Sequence, residues 1–113
     1  MSTQITDEQI HELAASAKPY SVVLLWWGPK RHMVGAEAIE RAHQRRILSL
    51  RADGVIAVLC PSAGFDTLAG IAIMNRTPEE ATHIMTGDPC VEAEMIRYEV
   101  QPCVGFPGDS LPA

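Results

Sequence analysis

Hydrophobic positions in this chain change their period several times, and each change marks an element. Ile10, Leu13, Ala14 and Ala17 recur at helical spacing behind Thr6 and Gln9, a capping-box pair. Residues 6–17 are therefore expected to form a short amphipathic helix, which Pro19 ends. Ser21 to Trp27 is a continuous apolar run closed by Gly28-Pro29. It is short and rich in valine and leucine, so it reads as a strand, and its lack of alternation implies cover on both faces. A loop from Lys30 to Gly35 leads into a helical pattern from about Ala36 to Ala52, stopped at Asp53-Gly54 by a glycine cap.

Val55 to Cys60 reads as a second strand ended by Pro61. The turn-rich stretch from Ser62 to Asp66 connects it to a third strand, Leu68 to Met74. Thr77-Pro78-Glu79-Glu80 combines a threonine cap, proline at the first helical position and glutamate three residues on, which starts a helix that stops near Gly87. Asp88-Pro89 restarts a short helical turn through about Glu94, and Ile96 to Gln101 alternates as a half-exposed strand. The division that follows is a helical extension at 1–19, a main domain at 20–104 and a polar, proline-rich mobile tail at 105–113.

The order strand, helix, strand, strand, helix, strand predicts an α+β, ferredoxin-like βαββαβ sandwich with an extra N-terminal helix. Both helices of such a sandwich pack on one sheet face. Yet Val22, Leu24 and Trp26 back onto Val23, Leu25 and Trp27, leaving the other face apolar as well. A homodimer with two sheets facing each other is the expected cover, with the last strand at an edge. The N-terminal helix is the alternative cover.

Composition narrows the class. With 113 residues, 47% of them hydrophobic, the chain suits one soluble domain rather than a disordered segment. A net charge of -5 argues against nucleic acid, which needs a basic face, and the strands lack base-stacking aromatics apart from the tryptophans. Cys60, Cys90 and Cys103 are odd in number and form no C-x-x-C pair, so reduced thiols and a cytoplasmic location are expected. No run approaches the roughly 18 apolar residues of a membrane span, and residues 1–18 do not resemble a leader. Glycine-rich phosphate loops, metal-spaced His/Glu pairs and dinucleotide fingerprints are missing from the sequence, so cofactor-free chemistry is expected.

One position breaks the pattern of the long helix. Ile39, His43, Ile47 and Leu50 share an arc at about 100° per residue, placing an imidazole where leucine belongs. Such a histidine either bonds a backbone carbonyl inside the core or serves as a proton-transfer group. Arg46, on the same arc, either reaches past the stripe to solvent or holds an anionic carboxylate or phenolate. Trp27 and His32 lie at the end of the first strand, where loops line pockets, though core packing and a solvated loop are their plainer readings. Cys60 and Cys90 lack a neighbouring base in the sequence and read as buried, inert thiols, with Cys60 also a candidate pocket residue.

His43-Gln44-Arg45-Arg46-Ile47-Leu48, the Asp53-Gly54 stop, Cys60-Pro61, Thr77-Pro78-Glu79-Glu80-Ala81 and Gly87-Asp88-Pro89 follow one another in the order seen in YCII-related (YciI-like) proteins. The chain resembles that family over about residues 20–104. It departs from it at Cys60, where the family usually has glycine, and in a shorter loop from Ser62 to Leu68, so substrate identity does not carry over. The resemblance implies a dimeric α/β-barrel assembly with a pocket between helices and sheet, and a catalytic role for His43. Asp88 is then the natural partner: a carboxylate on one ring nitrogen fixes the tautomer and makes the other nitrogen a better base. Capping a helix uses one carboxylate oxygen and leaves the other free.

These readings lead to two expectations. One is a small cofactor-independent lyase or isomerase with His43 as general base, Asp88 orienting it and Arg46 steadying an anionic substrate. The other is a non-catalytic dimeric module that binds a small molecule.

Overall fold

The computed structural model describes residues 2–64 and 66–113. Met1, in the expected helical extension, and Phe65, in the expected turn, lie outside the described residues. Four helices and four strands follow in the order α1 (Asp7–Ser16), β1 (Lys18–Trp27), α2 (Ala36–Ala52), β2 (Ile56–Pro61), β3 (Leu68–Met74), α3 (Pro78–Thr86), α4 (Pro89–Glu92) and β4 (Ile96–Gly105). The strands form one antiparallel sheet in the order β2-β3-β1-β4. This α+β arrangement is compatible with a ferredoxin-like fold. Among the described residues no helix is long and apolar enough to cross a membrane.

Local chemistry sets the helix starts. Thr6 and Gln9 close a capping box at α1, as Thr77 and Glu80 do at α3. The Thr77 backbone N–H and side chain hold the exposed Glu80 carboxyl below the usual range. Asp88 caps α4, accepting from the N–H groups of Cys90 and Val91.

The core lies between the sheet and α2, α3 and α4. Val23, Ile47, Ile56, Met74, Met85 and Met95 are buried there. Alternation along β1 puts Ser21, Val23 and Leu25 on this side, and buried Ser21 is satisfied by donating to the Arg76 carbonyl at 2.8 Å. The opposite set, Val22, Leu24 and Trp26, is half-buried on the open face of the sheet. The N-terminal helix does not cover that face: none of the α1 residues is buried, and Ile10 and Leu13 stand exposed.

Two strands run further than the sequence pattern suggests. β1 begins at Lys18 and β4 continues to Gly105, each passing through a proline. Pro102 pairs with Ser21 and Pro19 with Val104. β4 is an edge strand, and β1 at Pro19 lies beyond the last β3 pairing at Ser21, so neither proline withholds an N–H from a second neighbour.

A close backbone crossing joins the end of β1 to the turn before β4. The Gly28 N–H donates to the Met95 carbonyl at 2.7 Å, and a Cβ on Gly28 would stand 2.5 Å from the Glu94 carbonyl oxygen. Glu94 itself has φ of 61°, in the left-handed region. Gly28→Ala is therefore expected to lower stability by about 1–3 kcal/mol, because backbone on both sides must yield. Urea denaturation checks this, and an unchanged midpoint would show that the crossing is not tight.

Candidate active site

Two elements bring the candidate residues together. α2 presents His43 from its sheet-facing side, α4 begins at Asp88, and the cap geometry at Asp88 fixes its carboxylate before any histidine contact is made. Oδ2 accepts from the N–H of Cys90 at 3.0 Å and of Val91 at 3.3 Å. His43 Nδ1 lies 2.8 Å from both Oδ1 and Oδ2. A carboxylate accepts, so Nδ1 donates and Nε2 is left with its lone pair. Asp88 is 0% exposed and the His43 side chain 12%, so this pair is sequestered while the ring keeps one accessible edge.

His43 lines a cavity of about 340 Å³. Leu25, Trp27, Ile47, Leu59, Pro61 and Ile96 form apolar wall, and Glu40, Gln44 and Ser62 join His43 as polar lining. The size suits a compact molecule, and apolar walls with a few placed polar groups are the usual make-up of a small-molecule site.

The other expected site residues fall elsewhere, with the exception of Trp27. Trp27 lines the cavity, and the Arg31 guanidinium sits 4.0 Å over its ring. His32 is exposed in the loop after β1 and does not line the cavity. Cys60 is exposed, contrary to the expectation of a buried thiol. It occupies an edge strand at a position between Leu59 and Pro61, which face the cavity, so its side chain takes the opposite face. Arg46 does not line the cavity, and its side chain, 31% exposed, is tied to the protein at its tip. Its Nη2 donates to the Ile84 carbonyl at 2.7 Å, near the end of α3, and its Nη1 lies 3.7 Å from Asp88 Oδ1. The guanidinium thus adds a second donor to a carbonyl that the Gly87 N–H also reaches, at 3.3 Å, and it faces the buried carboxylate without lining the cavity.

Cys90, two residues on from Asp88, lies against the pair. His43, Asp88 and Cys90 offer donor atoms within 4.8 Å of one another, the spacing of a possible ligand set. Burial, followed by the charges of Asp88 and Glu40, pushes the thiol up to about 12. A thiol so held is protonated at neutral pH, which makes it a poor nucleophile. The cluster is better described as a hydrogen-bonded acid–base pair beside an inert thiol.

Glu40 and Ser62 were not singled out by the sequence. Glu40 stands three residues before His43, one helical turn away, so helical spacing carried a signal for it. Ser62 follows the strand-ending Pro61 in a turn, and nothing in the sequence marks it. Comparison with known proteins adds no assignment: no protein-family model and no curated protein matches the chain.

Proposed function

We propose that the protein is a cofactor-independent lyase or isomerase in which His43 removes a proton from a compact cyclic or phenolic molecule held in the cavity. The observation that supports this most is the Nδ1 contact at 2.8 Å to a fully buried, doubly capped carboxylate on a histidine that borders a 340 Å³ cavity. Nε2 takes the proton, the C–H or O–H electron pair moves into the conjugated system or expels a leaving group, and Asp88 stabilises the imidazolium. The order of motifs shared with YCII-related proteins supports the same reading.

Solvent deuterium incorporation tests it. A panel of compact cyclic ketones and lactones is incubated with the protein in D2O and followed by proton NMR. Incorporation at an acidic carbon above the buffer rate is the expected result. Binding without exchange by any member would instead assign a non-catalytic small-molecule-binding module.

The open sheet face supports a homodimer as the working unit. Val22, Leu24 and Trp26 on β1 adjoin Ile71 and Ile73 on β3, all half-buried and all apolar. A second copy placed sheet to sheet would cover them with the same residues, as two-fold symmetry requires. Sedimentation velocity is expected to give a dimer, and Trp26→Glu a folded monomer. A monomeric wild type would remove the dimer from the reading.

A further inference from the structure

We infer that the cavity beside His43 selects uncharged molecules and turns anions away. The inference rests on the reading of that cavity as the substrate site, and it concerns which compounds enter it. Among the described residues no lysine or arginine lines the cavity, and the one carboxylate that does is Glu40. Arg46, the cation nearest the acid–base pair, is held by the Ile84 carbonyl and by Asp88 without lining the cavity. Arg31 is engaged by the face of Trp27 and does not line the cavity either. An anion entering would lose water against apolar walls, meet no counter-charge and approach the carboxylate of Glu40.

A cation fares little better. Glu40 also borders the shallow surface depression formed with Glu37, Arg41 and Gln44, which places it at the mouth and not among the inner walls. The inner walls are Leu25, Ile47, Leu59 and Ile96, which offer a buried cation nothing. What they fit is an uncharged ring with one group for His43 and one for the wall. Ser62 is the wall's offer: its Oγ is buried and has no hydrogen-bond partner among the described residues. A ligand hydroxyl or carbonyl within reach would remove the penalty of an unmade bond.

Benzamide, benzoate and benzamidinium share one shape and differ in charge, so they isolate this effect. Each is titrated into labelled protein at pH 7.5, and the shifts of Trp27, Ile47 and His43 signals give the affinity at the cavity. Benzamide is expected to bind at least about tenfold more tightly than benzoate, a ratio that Glu40→Gln narrows. Ser62→Ala is expected to weaken benzamide alone. Benzoate binding as tightly as benzamide, or benzamidinium binding more tightly, would overturn the charge selection while leaving the site in place. A gap unchanged in Glu40→Gln would overturn the role of that carboxylate. If none of the three moves a cavity signal, the inference falls together with the cavity as a site, and the deuterium experiment then shows the same failure.

Discussion

Asp88→Ala is expected to lower the stability of the fold by about 4 kcal/mol, within the range for removing one partner of a buried pair. The carboxylate is 0% exposed and meets two backbone N–H groups, the His43 ring and, at 3.7 Å, the Arg46 guanidinium. Alanine leaves all of these facing a space that water does not readily reach. Loss of the cap alone would cost about 1–2 kcal/mol, and the stranded imidazole and guanidinium account for the remainder. For a domain whose total stability is about 5–15 kcal/mol, the melting temperature should fall by roughly 15–25 °C. Asp88→Asn retains a capping oxygen and is expected to cost about half as much. Urea denaturation of the two variants checks this, and a loss below about 1 kcal/mol for alanine would show that the carboxylate does not hold the site together.

His43→Ala is expected to slow deuterium incorporation by about 10²- to 10⁴-fold in any compound the wild type exchanges, the usual contribution of a placed general base. Because alanine also strands Asp88, His43→Gln is the companion variant. Its amide can donate to the carboxylate and preserve the local structure, yet it cannot accept a proton at neutral pH. Both variants should lose exchange while the glutamine variant keeps near-native stability. Free imidazole, small enough for the vacated space, should restore part of the rate in His43→Ala and none in His43→Gln, where the side chain blocks the position. Exchange at the wild-type rate in the glutamine variant would move the base to another residue.

Much of the scaffold was legible because its signals are local. The capping boxes at Thr6 and Thr77, the proline after Asp88 and the glycine after Asp53 act within a few residues of themselves, and each marks an element end in the structure. His43 was legible for the same reason: helical spacing alone places it on the sheet-facing arc. What the sequence conceals is set by distant neighbours. Pro102 looks like a strand end although the last strand is expected at an edge, because nothing local shows that an edge strand runs on through it, and Cys60 looks buried until β2 is known to be an edge as well. Arg46 reads as free to meet an anion, since nothing local reveals that the Ile84 carbonyl will claim it. Glu40 is polar on a helix flank, the mark of a solvated residue, and only the sheet opposite turns that flank into the mouth of a cavity. Long-range partners and enclosure belong to the assembled fold.

His43 and Asp88 stand 45 residues apart in sequence, with β2, β3 and α3 between them. A chain emerging during synthesis therefore carries a bare imidazole until α4 has been made and docked, and no fragment that stops at Gly87 can orient the ring. The oriented imidazole arrives late and all at once. The same separation makes the His43 Nδ1–H a reporter of the whole domain: its exchange with solvent should require α2 and α4 to part. Its lifetime would then track the global opening reaction and not the fraying of either helix.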